Sequence, residues 1–179
     1  ITNESLIILQ GLVSEKHSNP EKLLIVVYCH LCWDAAISYG DMLYDTFEDW
    51  LIATIKSASK ADHVRWIFKI HPAELTGNVN PSFNTQAFIN KELDKLGNPK
   101  HISIISEVIP SGLLLPIVDI GVTANGTVAF ELPSFGKPCL VASRGGYAGL
   151  PFVRSFKTRT DYENALLEIH EIKPISSNE

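Results

Sequence analysis

The stretch Asp119-Ile120-Gly121-Val122-Thr123-Ala124-Asn125-Gly126-Thr127-Val128-Ala129-Phe130-Glu131-Leu132-Pro133-Ser134-Phe135-Gly136-Lys137-Pro138 decides the fold class. Ile120, Val122 and Ala124 suit the end of a buried strand, Asn125-Gly126-Thr127 make a tight polar turn, and residues 128–135 have the apolar spacing of a short helix. A strand feeding a helix through such a turn leaves the first helical N–H groups unpaired and aimed at one spot, where the helix dipole favours negative charge. That spot suits a phosphate. The same residues also suit an ordinary strand-to-helix turn in which Asn125 or Thr127 only caps the helix. Gly136-Lys137-Pro138 stops the helix and starts the next strand, with Lys137 a cation at the helix's negative end.

On either side of this stretch, strands and helices alternate. Residues 5–16 carry Leu6, Ile7, Leu9, Leu12 and Val13 at helical spacing, closed by Asn19-Pro20. Residues 23–29 are a continuous apolar run, as in a parallel strand buried on both faces. Residues 41–61 read as a long helix with Met42, Phe47, Trp50, Leu51, Thr54 and Ile55 inside. The second strand, 64–70, delivers His71-Pro72, and a stretch rich in Asn, Pro and Ser over 77–84 leads to a helix over 85–96. A third strand spans 101–106, a brief helix 111–118, the fourth strand 120–124 and the fifth 139–142. A last helix covers 161–172, starting at Thr160 or Asp161. The pattern predicts an α/β chain: a three-layer αβα sandwich around a doubly wound, Rossmann-like parallel sheet of about five strands.

Bulk composition narrows the function. A 179-residue chain with 45% hydrophobic content builds a sizeable core, and a net charge of −5 with no Lys/Arg run argues against nucleic acid as a partner. The longest apolar run, residues 23–33, is broken by His30 and too short to cross a bilayer. The chain opens at Ile1 rather than Met and directly on an amphipathic segment, so residues 1–179 are expected to be a single domain excised from a longer protein. The three cysteines, Cys29, Cys32 and Cys139, form no disulfide framework. Cys29-His30-Leu31-Cys32 has C-x-x-C spacing but no second pair to complete a zinc site, and it ends a strand rather than opening a helix, so structural use is expected. No cofactor and no metal are expected.

Ligands in such sheets sit outside the carboxyl ends of the strands. That edge gathers His30, His71-Pro72, Ser106, Asn125-Gly126-Thr127 and the loop at 143–147 with Arg144 and Tyr147. Lys69-Ile70-His71-Pro72 leaves the sheet as a cation, then an imidazole, then a residue that fixes the backbone and has no N–H. An imidazole held this way donates to a phosphate oxygen or stabilises a leaving group; the alternative is a histidine that only caps the strand end. Glu131 lies four residues after Thr127 on the same helix face, and with the cap at 125–127 it does not occupy the capping-box position. A carboxylate repels phosphates, so its task near them is to accept hydrogen bonds from sugar hydroxyls; the alternative is a solvated glutamate. Trp33 and Asp34 follow the first strand, and Trp33 is expected to pack.

Lys69-Ile70-His71-Pro72 is similar to the strand-ending His-Pro motif of the GT-B glycosyltransferases that build bacterial capsule polysaccharide and lipopolysaccharide, the group that includes Kdo transferases. The run from Thr123 to Glu131 followed by Gly136-Lys137-Pro138 is similar to their turn, helix and GKP signature. The likeness covers residues 23–162 and is to the C-terminal, donor-binding half. It implies a sugar moved from a nucleotide-sugar linked to UDP, CDP or CMP onto a growing surface polysaccharide or lipid-linked acceptor, the acceptor being held by an N-terminal domain with no counterpart here. The implied location is cytoplasmic, with peripheral contact at the inner face of the membrane as an option. The implied roles are His71 as the catalytic group on the phosphates, Asn125, Gly126 and Thr127 on the phosphates as well, and Glu131 on ribose or sugar; Lys69, Pro72, Ser106 and Tyr147, at the same sheet edge, are further candidates for binding substrate. UDP-GlcNAc 2-epimerases and CDP-glycerol phosphotransferases share versions of these motifs, so an enzyme of either kind, or a non-catalytic nucleotide- or carbohydrate-binding module, is the alternative.

Overall fold

The computed structural model describes residues 2–33, 41–77 and 83–175, with Tyr147 described in its backbone alone. Asp34 and the centre of the 77–84 stretch lie outside the described residues. Six parallel strands, β1 (Leu24–Tyr28), β2 (Arg65–Lys69), β3 (Ile102–Ile105), β4 (Ile120–Thr123), β5 (Cys139–Val141) and β6 (Val153–Ser155), form one sheet in the order β3-β2-β1-β4-β5-β6. The expected doubly wound parallel sheet is present, with six strands rather than about five. The strand that the sequence reading lacks is β6, three residues at the sheet edge with Arg154 and Ser155 exposed, which gives no apolar run to read.

Alternation along each strand sends residues to two cores, one per face. Ile25, Val27, Trp66, Phe68, Val122 and Leu140 face one layer, made by α2 (Phe47–Lys60), α4 (Thr85–Lys95) and α7 (Arg159–Leu167). Leu24, Val26, Ile67, Cys139 and Val141 face the other, made by α1 (Asn3–Ser18), α5 (Ser111–Leu114) and α6 (Val128–Glu131). The short α3 (Pro72–Leu75) follows β2 directly. In the first layer the Trp50 indole N–H donates to the Tyr162 hydroxyl at 2.8 Å, and Thr54 Oγ1 lies 2.8 Å from the same oxygen, tying α2 to α7 where neither phenol nor indole meets water.

Helix bounds differ from the sequence reading at several places: α1 runs Asn3–Ser18 rather than 5–16 because Thr2 caps it, the brief helix expected over 111–118 is the single turn Ser111–Leu114, and three more differ for capping reasons. α2 starts at Phe47, not at 41, because Thr46 caps it, its Oγ1 accepting from the Asp49 N–H at 3.0 Å. Upstream, Leu43 N–H instead donates to Ala142 C=O and Met42 bridges to Ser143. α7 starts at Arg159 because Thr158 caps it through the Asp161 N–H, and its last turn tightens into a 3-10 turn at Ile169–Glu171. The helix expected over 128–135 is one α turn followed by a 3-10 turn, Leu132–Phe135, stopped by Gly136 at φ +67°. α1 buries only Ser5 and Leu9 and leaves Leu6, Ile7 and Val13 exposed.

Gly121 in β4 sets the spacing of the second layer. A Cβ there would lie 2.0 Å from Leu132 Cδ1, and Leu132 is fully buried at the start of the 3-10 turn that follows Glu131.

Candidate functional site

Chain order reverses between β1 and β4. From β1 the sheet grows through β2 to β3; the chain then returns to β1's other side and grows through β5 to β6. Crevices form at such a reversal because the loops leaving the two central strands depart in opposite directions. A cavity of about 230 Å³ opens there, at the carboxyl ends of β1, β2 and β4. Its wall contains Tyr28 at the end of β1 with Cys29 and His30 after it, Lys69 at the end of β2 with Ile70, His71 and Pro72 after it, Ser111 of α5, Thr123 of β4, and Gly126, Thr127, Val128 and Glu131.

Of the residues singled out in the sequence, the structure brings Lys69, His71, Pro72, Gly126, Thr127 and Glu131 to this wall. Pro72 opens α3 and His71 caps it, with His71 Nδ1 accepting from the Ala73 N–H at 3.2 Å. Nδ1 being the acceptor, the neutral ring carries its proton on Nε2. The same backbone turn is tied down by Glu74, which is buried and accepts from the Thr85 N–H at 2.8 Å at the start of α4. Lys69 is 2% exposed, and no carboxylate lies within ion-pair distance of its ammonium among the described residues. Burial pulls its pKa below the usual lysine range, with the Cys29 and Glu131 side chains opposing the shift. Glu131, half-buried, accepts from Thr127 Oγ1 at 3.2 Å.

The turn at 125–127 is bonded internally. Asn125 N–H donates to His30 Nε2 at 3.1 Å, and Gly126 N–H donates to Thr123 Oγ1 at 3.0 Å. Two of the amides expected to converge on a phosphate are therefore already engaged, and Thr127 and Val128 are the turn's remaining contribution to the wall. Thr127 is the N-cap, and its side chain makes no capping bond. Gly126 allows the tight approach, since a Cβ there would sit 2.8 Å from Thr123 Oγ1. Asn125 points its Oδ1 to Ser143 Oγ, 3.3 Å away, and so joins the turn to the loop after β5.

Ser106 does not reach the cavity wall; its N–H donates to Glu107 Oε2 at 3.1 Å. The Tyr147 side chain lies outside the described residues. Sequence reasoning missed Tyr28, Ser111 and Thr123 on the wall and placed His30 only at the edge. His30 stacks on Phe47 with ring centroids 4.5 Å apart and holds the Asn125 amide, so it locks the turn to β1. The signal available was parity: Tyr28, Lys69 and Thr123 end their strands pointing to the same face. Burial, above all other causes, raises the Cys29 thiol well above its ordinary pKa and pushes Cys32 up to about 12, so both stay protonated. Among the described residues no group of three His, Cys, Asp or Glu is placed to hold a metal, and no helix is long and apolar enough to cross a membrane.

No family model and no curated protein matches the chain. Solved structures do. The beta Kdo 2,7 transferase of KpsC from Thermosulfurimonas dismutans superposes with a TM-score of 0.53 at 17% identity, over 93% of this chain and 53% of that one. S. aureus MnaA in complex with UDP gives 0.56 at 14%, over 88% and 39%. Anabaena HepE in complex with UDP-glucose gives 0.58 at 11%, over 96% and 44%. The chain thus spans about half, or less, of the length of the structures it matches. At these identities the likeness is one of architecture: the chain has the Rossmann-like fold of one half of a GT-B structure.

Proposed function

We propose that this domain binds a nucleotide-sugar and is the donor half of a glycosyltransferase that extends a bacterial surface polysaccharide. The observation that carries the reading is the cavity at the chain reversal, floored by a buried lysine with no carboxylate partner among the described residues and edged by a histidine whose Nε2 carries the proton. Both groups are donors suited to the oxygens of a leaving nucleoside phosphate, and in a dry cleft such bonds are stronger than in water. Structures with the same architecture include a Kdo transferase and a HepE complex with UDP-glucose, which supports a sugar-linked nucleotide as the ligand. Glu131, kept to one side by Thr127, accepts from ribose or sugar hydroxyls. The acceptor and the group that activates it come from a preceding domain. No metal or cofactor takes part.

The same fold in MnaA with UDP, and in a Listeria monocytogenes protein described as a UDP-N-acetylglucosamine 2-epimerase, favours one further reading, a UDP-GlcNAc 2-epimerase-like domain that uses the same cavity for the same nucleotide. Calorimetry with UDP, CDP and CMP, each beside its nucleoside, tests what the two readings share. His71→Ala should cost about 1.5–3 kcal/mol of nucleotide binding, the worth of a bond to a charged group, and leave nucleoside binding unchanged. Glu131→Gln should weaken nucleoside and nucleotide alike. Equal losses of nucleoside and nucleotide in His71→Ala would show a histidine that only caps α3.

A further inference from the structure

The floor of the cavity is one row of the sheet. Tyr28 is the register partner of Lys69 on β2 and of Thr123 on β4, so the three side chains stand abreast on the same face. The next row down that face is Val26, Ile67 and Gly121 on the same three strands, none with a charge or hydroxyl, with Cys139 beside Gly121 and Ser103 at the β3 edge, and the Tyr28 row is flanked by Ile105 and Val141. On the central strands β1, β2 and β4 this face therefore turns polar at the row that meets the cavity. Thr123 is satisfied by the protein, its Oγ1 accepting from Gly126 N–H and lying 3.1 Å from His30 Nε2. Tyr28 is not. The residue is 9% exposed, lines the cavity, and its hydroxyl has no hydrogen-bond partner among the described residues.

A buried hydroxyl without a partner destabilises a protein, and phenylalanine would pack in its place at no such cost. An orphan phenol beside a lysine that also lacks a carboxylate calls for an acceptor that carries charge. We propose that the Tyr28 hydroxyl, abreast of Lys69, donates a hydrogen bond to one anionic oxygen of the bound ligand. This rests on the nucleotide-sugar reading, which gives two sources for that oxygen: a carboxylate on the sugar, or the phosphate. Glu131 approaches the same cavity from α6, where Thr127 Oγ1 holds it, so the anion sits on the β1–β2 side.

The test compares the wild type with Tyr28→Phe, and with Lys69→Met as a second variant. Thermal unfolding of the ligand-free proteins is measured alongside calorimetric affinity for UDP, UDP-glucose, UDP-glucuronate, CMP and CMP-N-acetylneuraminate. Tyr28→Phe should unfold at a higher temperature than the wild type and yet bind the anion about tenfold or more weakly, the usual loss when a bond to a charged group goes. Lys69→Met should weaken the same ligands. If the oxygen is the phosphate's, UDP and UDP-glucuronate lose equally; if it is a sugar carboxylate, the loss is confined to UDP-glucuronate or CMP-N-acetylneuraminate. Unchanged affinity in Tyr28→Phe for every ligand the wild type binds overturns the inference and leaves the nucleotide-sugar reading standing. A lower unfolding temperature would show that the hydroxyl already has a partner, and overturns it too. A wild type that binds none of the five overturns both.

Discussion

A histidine on the far edge of the sheet from the cavity contributes to how the protein responds to acid. His63, in the turn between α2 and β2, meets His170 edge to face with ring centroids 4.4 Å apart. Partial desolvation lowers its pKa below 6.5, followed by the neighbouring His170, while Asp62 opposes and His101 and Lys22 add to the lowering. The sign follows: below 6.5 the unfolded chain takes up a proton that the folded one resists, so the His63 contribution to stability falls as pH drops from 6.5 through the lowered value and is constant above 6.5. Urea midpoints measured from pH 5 to 7.5 should show that slope, and His63→Gln should flatten it. At this scale the sequence revealed unevenly. Lys69 and His71 were legible because a charge and an imidazole at a strand end have few other uses. Tyr28 was not, because an aromatic residue closing an apolar strand reads as core, and only its register beside Lys69 and Thr123 exposes the hydroxyl as polar floor.

Three elements meet at one carboxylate on the edge opposite the cavity. Asp119, just before β4, accepts from the Leu24 N–H of β1 at 2.7 Å and from Lys16 Nζ of α1 at 2.5 Å, and its own N–H donates to Leu24 C=O. Its side chain is only 19% exposed, so the bond to the backbone is little screened. Asp119→Ala should destabilise the protein by about 1.5–3 kcal/mol in denaturant unfolding, mostly through the orphaned Leu24 amide. Asp119→Asn, which still accepts that amide, should recover most of the loss and forfeit only the ion pair, worth about 1 kcal/mol or less. Element bounds were legible to within one residue for the five strands read, since continuous β-branched runs have one reading. They slipped at α2 and α7, where Thr46 and Thr158 cap earlier or later than the apolar spacing suggests. Cap choice depends on where the preceding chain docks, as when residues 42 and 43 pair with the end of β5.

Across the whole molecule the two cores lie on opposite faces of one sheet, and β1, β2, β3 and β5 supply residues to both. Trp50 and Trp66, both essentially unexposed, report on one face, and the helices of both faces report together on secondary structure. Near-ultraviolet and far-ultraviolet circular dichroism should therefore follow one coincident thermal transition, because losing either layer exposes the strands that the other needs. Two separated transitions would show layers that fold independently. The doubly wound topology was legible from alternation alone, since right-handed crossovers leave few arrangements open. The exposed apolar residues of α1 were not, because spacing shows that a helix has an apolar side and not how much of it the sheet covers.

Gly121 acts as a gauge block between sheet and helix. With hydrogen as its side chain, Leu132 seats directly on β4, and the distance of that seat fixes how far Thr127 and Glu131 stand from Lys69 across the gap. Gly121→Ala inserts a wedge at a point that touches no ligand. It should keep the topology, cost about 1–3 kcal/mol of stability from overpacking, and widen the mouth enough to lower nucleotide affinity. Trimming the opposing side chain in Gly121→Ala/Leu132→Ala should restore affinity before it restores stability, because the second change reseats the helix while leaving its own void. The aperture of the cleft would then be written in the thickness of a single residue beneath it.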